Sequence, residues 1–270
     1  MSPLSTLKRR SLRTNDQKPQ KRSKLSMSTT SPMSPNPSKP PITLNSPPNP
    51  LKSRTRAALN LIYANSLSST QFTQQYIPTS SQRFTAKDGH STYACTFKRT
   101  QDVTPEEKEA CFQIIRETSR RDYEANAEQG WDDERKRGEM GEEGMKFLLV
   151  KKEEPNKQDE DSSQILGFTS FTLEMDPDNQ IPQLYVYEIH LLPSARSLGL
   201  GRHLMSLNEV IARELELEKV MLTVFTCNTK AEGLYRRLGY GVDEQSPKER
   251  VMRSGKVVRP KYLILSKALS

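Results

Sequence analysis

The chain has 270 residues, 33% of them hydrophobic, and its 41 Lys or Arg against 33 Asp or Glu give a formal net charge of +8. That length admits one large domain or two small ones, so composition has to locate the folded part. No window approaches ~18 consecutive apolar residues and no apolar signal-peptide core follows the first basic residues. Cys95, Cys111 and Cys227 form no CxxC pair and no His/Cys spacing suited to zinc. These features count against membrane-spanning, disulfide-framework and metal-site classes. They imply a soluble protein in a reducing intracellular compartment.

Residues 1–56 hold 12 Lys or Arg, one acid (Asp16), ten of the 18 prolines and no aromatic residue. Such a segment has too little apolar area to offset the entropy of ordering it, which predicts a disordered tail. It carries +11, so residues 57–270 carry −3 and the basic pI belongs to the tail. "KRR" (8–10) and "KRSK" (21–24) read as a nuclear-import signal, giving a nuclear and cytoplasmic location, with non-specific nucleic-acid contact as a further use of the charge. A solubilising tail fits the same composition. So does a mitochondrial transit peptide, although ten prolines count against its amphipathic helix.

Residues 57–102 are expected to form an amino-terminal helix and a first strand. "RAALNLIYANSL" (56–67) places Leu59, Ile62 and Tyr63 at helical spacing, and "TYACTFKR" (92–99) alternates as a strand does. A core domain follows from 103 to 270. It opens with Thr104 as a cap, Pro105 at the first helical position and two acids in the first turn, a strong helix start. "GWDDERKRGEMGEEGM" is charged enough to predict an exposed second helix. "MKFLLVKKE" (145–153) and "QILGFTSFTLEM" (164–175) predict two strands of a hairpin with a charged loop, and "QLYVYEIHLL" (183–192) a long strand ended by Pro193. Leu200, Leu204, Leu207, Ile211 and Leu215 make one apolar helical stripe. A strand at 219–226, a helix at 228–240 and a strand at 260–269 complete an α/β (α+β) domain, a mixed sheet of six or seven strands flanked by helices.

Between the strand at 183–192 and the next helix lies "ARSLGLGRHL". A dinucleotide fingerprint would need a third glycine at position 204, which is Leu. A P-loop would need Lys-Ser/Thr after Gly201, where Arg202 and His203 stand. What remains is Arg196-x-x-Gly199-x-Gly201 before a helix, where free N–H groups and the helix dipole favour an anion. A plain tight turn fits the loop equally well when it is taken alone.

Placed after a long strand, at the head of an amphipathic helix, and followed by a strand ending near Asn228 and a helix with Tyr235, this motif resembles the GNAT superfamily of N-acetyltransferases. "RDYEANAEQGWDDERKRGEM", "LYVYEIHLL", "KVMLTVF" and "YLILSK" together resemble the NatD type of that superfamily, the histone-specific N-alpha-acetyltransferases, over residues 103–267. The resemblance implies acetyl-CoA as co-substrate; no metal and no membrane are expected from the cysteine, histidine and apolar patterns above. It also implies the N-terminal tails of histone H4 and the A-type histone H2 as partners. Backbone groups of Ile189, His190 and Leu191 would pair with the pantetheine arm. Arg196, Ser197, Leu198, Gly199, Leu200, Gly201 and Arg202 would cradle the diphosphate, and Asn228 would touch the cofactor.

By the same resemblance Glu188 is the catalytic base, Tyr235 protonates the leaving thiolate, and Glu174 matches a second acid that holds the substrate. Tyr123, Tyr185, Tyr187 and Tyr262 belong to the amino-terminal pocket. Where the family has Trp-Gly-Trp, this chain has Gln129-Gly130-Trp131 with one extra residue before it; Trp131 is the candidate stacking residue. A free α-amine titrates near pH 7.7 to 8.0, so a modest base suffices. His190 and Cys227 show no partner pattern for a Cys/His nucleophile, so transfer is expected to be direct. Glu174, Asp176, Asp178, Glu128 and Asp132 are candidates for counter-charge to a basic peptide. Strict alternation puts Glu188 with Val186 and His190, opposite Tyr185 and Tyr187. If all serve one site, the strand must carry a bulge.

Overall fold

A computed structural model describes residues 50–126, 130–153 and 164–269. Expectations for residues 1–49, for Glu128 and Gln129, and for the loop at 154–163 lie outside the described residues. Helix α1 runs Pro50–Ser66, so residues 50–56, expected to belong to the tail, are helical; Arg54 and Arg56 pair with Glu218 and Glu216. The buried side of α1 is Ala57, Leu61 and Ala64, while Leu59, Ile62 and Tyr63 are exposed. Two alanines let the helix lie close to the sheet, and that outcompetes the larger side chains on its other face.

Helix α2 (Ser69–Tyr76) is closed by a capping box between Ser68 and Gln71. Short strand β1 (Arg83–Thr85) and strand β2 (Thr92–Arg99) follow, then helices α3 (Pro105–Asn126) and α4 (Asp133–Met140). The remaining elements are β3 (Lys146–Lys152), β4 (Ile165–Met175), β5 (Pro182–Leu191), α5 (Leu200–Glu214), β6 (Lys219–Phe225), α6 (Thr229–Arg237), β7 (Gly241–Val242), β8 (Arg250–Val251), β9 (Val257–Val258) and β10 (Tyr262–Ala268).

Among the described residues the main sheet has eight strands in the order β1-β2-β3-β4-β5-β6-β10-β7, and β8 and β9 form a separate ribbon. All six long strands read from the sequence are present. The two short edge strands, three and two residues long, bring the sheet to eight and are too brief to leave a periodic pattern. Of these described strands only β5 and β6 pair in parallel, joined by a crossover through α5. One face of the sheet is covered by α1, α2 and α5; Leu200, Leu204, Leu207 and Ile211 of α5 and Leu215 at its C-cap are all buried. The other face meets α3 and α4 through Phe112, Ile114, Ile115, Met140 and Met145.

Two irregularities in β5 position the site. Opposite β4 the register passes from Phe171↔Val186 to Ser170↔Glu188, so Tyr187 is an extra residue and the strand carries a bulge. Tyr185, Tyr187, Glu188 and His190 therefore share the α3/α4 face, as a common site requires. On its other edge β5 pairs with β6 only from Gln183 to Val186. Beyond that point the two strands part.

Candidate active site

The gap where β5 and β6 separate is a cavity of about 710 Å³, walled by α3, β5, β6, α6 and the loop before α5. Of the residues singled out from the sequence, Tyr123, Tyr187, Glu188, Ile189, His190, Leu191, Arg196, Ser197, Gly199, Gly201, Arg202, Asn228 and Tyr235 all line it. Leu198 and Leu200 do not: Leu200 is fully buried in the core and Leu198 packs against it. The Leu200 side chain is thereby unavailable to a ligand.

At one end of the cavity the loop curls through two residues of positive φ, Ser197 at 64° and Gly199 at 101°. Gly199 is required there, because a Cβ would also stand 3.0 Å from the Phe84 ring. The first hydrogen bond of α5 runs from His203 N–H to Gly199 O, so the amides of residues 200–202 lie at the open positive end of the helix. Arg196 donates from Nε to Leu191 O at 2.9 Å, tying the loop to β5. Arg202, Lys230, Arg237 and Lys87 add cationic side chains to the walls. Past Val186 the β6-facing edge of β5 has no strand partner among the described residues, and an extended amide chain can pair with it. Backbone donors, four further cations and an unpaired strand edge fit the diphosphate and pantetheine of acetyl-CoA. Asn228 lines the cavity while its Oδ1 accepts from Ala231 N–H at 3.2 Å, so it also caps α6.

At the other end stands Glu188. Its Oε1 accepts from Lys136 Nζ at 3.0 Å and from Tyr123 OH at 3.1 Å, and its Oε2 lies 2.7 Å from His190 Nε2. Lys136 also donates to Tyr123 OH at 2.7 Å and to Glu139 Oε2 at 2.6 Å, so its three donors are all used. Burial opposes the charge of Lys136, but Glu188, Tyr123 and Glu139 outweigh it and hold the ammonium well above its usual range. Burial, then the Glu188 carboxylate, pushes both the Tyr123 and Tyr235 phenols upward, so each is a neutral donor.

The helix that carries Lys136 was expected to be exposed. In the structure Lys136, Glu139 and Met140 are buried, because the highly polar turn folds its inner side onto α3 and Glu188. The sequence reading missed Lys136 and Thr118. The only local signal was a lysine three residues before a glutamate, and that pattern is common on solvated helices.

The remaining aromatic candidates divide. Tyr185 OH meets Thr223 Oγ1 at 2.5 Å, and its ring lies T-shaped to Tyr187 at 5.3 Å. Burial raises the Tyr185 phenol, with Tyr187, Glu174 and Tyr262 adding to the shift, so these four residues sit together on the α3/α4 face. Glu174 accepts from Thr172 Oγ1 at 2.9 Å. Trp131 is not on the cavity wall: its N–H donates to Asp133, and its ring packs between Phe112 and Tyr123. Asp176, expected as peptide counter-charge, is buried on Lys219 and Gln245 instead. Asp132 caps α4 through Arg135 N–H.

A mixed sheet whose central strands splay beside an open helix end, with a bulged strand turning a carboxylate into the gap, is a GNAT fold. Residues 112–240 match the family described as Acetyltransferase (GNAT) family. The chain is 34% identical over 93 residues to N-alpha-acetyltransferase 40 of Saccharomyces cerevisiae, a match covering 28% of this chain and 33% of that protein. The chain thus spans about a third of the length of this curated relative. It is similar to the crystal structure of Arabidopsis thaliana NAA60 in complex with a bisubstrate analogue, at 13% identity, 66% of this chain, 100% of that one and a TM-score of 0.43. It is also similar to Ard1 from Thermoplasma volcanium, at 14% identity, 65% of this chain, 98% of that one and a TM-score of 0.41.

Proposed function

We propose that this chain is an acetyl-CoA-dependent N-alpha-acetyltransferase whose substrates are the N-terminal serine amines of histone H4 and the A-type histone H2. The observation that carries the reading is Glu188, turned by the β5 bulge into the same cavity as the open end of α5. One end of the cavity supplies donors for a diphosphate, and the same cavity is lined by Glu188 as the base. The match to N-alpha-acetyltransferase 40, by its name an enzyme of N-terminal amines, supports the choice of amine.

In this reading the thioester lies along the open edge of β5, and the peptide amine enters beside Glu188. Tyr185, Tyr187, Tyr262 and Glu174 wall the first residues of the peptide. Glu188 takes one proton from the ammonium, and the nitrogen forms its bond to the acetyl carbon as the C–S bond breaks. The second amine proton passes to the departing thiolate, with Tyr235, a neutral donor on the cavity wall, relaying it. Backbone N–H groups of β5 meet the developing oxyanion. The basic segment 1–56 carries the nuclear-import signal, and the enzyme works in nucleus and cytoplasm.

The test is mass spectrometry of amino-terminal peptides of histone H4 and the A-type histone H2 incubated with the full chain and acetyl-CoA, beside the same peptides with a blocked N-terminus. Acetyl on the free α-amine alone is expected. Equal labelling of the blocked peptides places the activity on lysine side chains and overturns the choice of amine.

A further inference from the structure

The side chain of His190 belongs to the same network as Glu188, standing between Thr118 and the carboxylate. Thr118 Oγ1 lies 2.7 Å from Ile114 O and 2.8 Å from His190 Nδ1. A carbonyl oxygen only accepts, so the single hydroxyl proton of Thr118 goes to Ile114 O and the hydroxyl accepts from His190. Nδ1 therefore carries a hydrogen. The other ring nitrogen, Nε2, is 2.7 Å from Glu188 Oε2. Two bare lone pairs do not sit at that distance, so a proton lies between them.

Glu188 Oε1 is held by Lys136 and Tyr123, and Lys136 is shared with Glu139. His190 is thus a second nitrogen group on Glu188, and both members of the pair are about nine-tenths buried. Titratable groups near the pair include Tyr123 and Asp122 on α3, Lys136 and Glu139 on α4, Tyr187 on β5 and Tyr235 on α6; on β4, Ser170 and Phe168 stand opposite the pair and Thr169 Oγ1 donates to Glu188 O at 2.9 Å.

We propose that Glu188 and His190 act as one proton-accepting pair: the 2.7 Å contact fits its loaded form, and the working base is the same pair with the shared proton removed. The inference rests on the reading of the cavity as an N-acetyltransferase site. In the working form Glu188 is a carboxylate and His190 a neutral ring with its hydrogen on Nδ1. The ammonium of the substrate gives one proton to the pair, which restores the Nε2–H···Oε2 bond. The neutral nitrogen then bonds to the acetyl carbon as the C–S bond breaks, its second proton ends on the thiolate, and the pair returns its proton to water. Thr118 fixes the tautomer and Lys136 fixes Oε1, so both are positioning residues.

Two measurements on the full chain test this. The first is the pH profile of kcat for the histone H4 peptide, compared between wild type and His190→Gln, whose amide can still donate to Oε2 but cannot take up a proton. The substrate amine titrates equally in both, so a difference belongs to the pair. Turnover about tenfold lower or more near pH 7, with a changed acid limb, is expected; superposable profiles overturn the proposal. The second is nitrogen-detected NMR of the His190 ring, which needs no turnover. Both ring nitrogens are expected to bear hydrogen below the acid limb of the wild-type profile and only Nδ1 above it, with the change moved to lower pH in Glu188→Gln. A change at the same pH in both proteins overturns the shared proton even if the enzyme is active. If no peptide is acetylated by wild type, the functional reading fails, and the NMR result still decides the pair.

Discussion

Two buried lysines on opposite faces of the main sheet, Lys136 on the α3/α4 side and Lys146 under α1, behave in opposite ways. Lys136 is 2% exposed and Lys146 is 3% exposed, so desolvation acts on both. Lys136 touches two carboxylates and a phenol and is held well above its usual range. Lys146, at the start of β3, donates to Asn65 Oδ1 at 2.6 Å and to Gly144 O at 3.0 Å, and burial with the nearby Arg99 lowers it to about 8. Burial alone thus does not set the charge of a lysine; the formal charge of its partners does. The lysine next to the candidate base is a permanent cation, whereas the one under α1 is a cation close to losing its proton.

The contrast is tested hardest at the carboxylate. Glu188→Gln removes the base and one of the two anions on Lys136. Turnover of the histone H4 peptide is expected to fall by about 10² to 10⁴, the usual contribution of a positioned base, while acetyl-CoA affinity, measured by calorimetry, stays near wild type because the diphosphate end is unchanged. Parallel loss of acetyl-CoA binding would mean that the two ends of the cavity are not separable. Next is Lys136→Met, which leaves Glu139 and Glu188 buried without their cation. Breaking a buried pair from one side costs about 3 to 5 kcal/mol, to be read by urea unfolding. Because Lys136 in the folded chain titrates above its unfolded value, its contribution is fully present below about pH 10. The gap between wild type and this variant is expected to be flat from about pH 6 to 10.

The two ends of the cavity also differ in how far the sequence foretells them. The diphosphate end is built from contiguous backbone, so Gly199, Gly201, Arg196 and the stripe of α5 announce it within one short stretch of chain. Failure of the dinucleotide and P-loop patterns narrows it further. The amine end joins Thr118 and Tyr123 on α3, Lys136 on α4, and Glu188 and His190 on β5. No local periodicity relates positions 52 residues apart, as Lys136 and Glu188 are, and the charged run around Lys136 looks like any solvated helix. The bulge at Tyr187 could be demanded by the sequence, because four residues of one strand had to share a face, but only the pairing of β4 with β5 places it. Helix α1 failed for a related reason: its larger apolar residues formed a stripe, yet the alanine side is the one that packs.

Lys146 gives the smallest expected effect and the one with a slope. Its folded value of about 8 lies below the ordinary lysine value of 10.5, so the folded chain favours the neutral amine. Below about pH 8 both states hold the proton and the cost of the buried charge is constant. Between pH 8 and 10.5 the unfolded chain binds more protons than the folded one, and stability rises with pH. The full gain is about 3 kcal/mol at about 1.36 kcal/mol per unit. Tyrosines titrate in the upper part of this window, so the measurement is the difference in unfolding free energy between wild type and Lys146→Met, in which their effects cancel. Wild type is expected to gain on the variant steadily from about pH 8 to 10, with turnover at pH 7 unchanged by the substitution. A flat difference, like that expected for Lys136, would mean that Asn65 and the Gly144 carbonyl hold the ammonium as well as two carboxylates do.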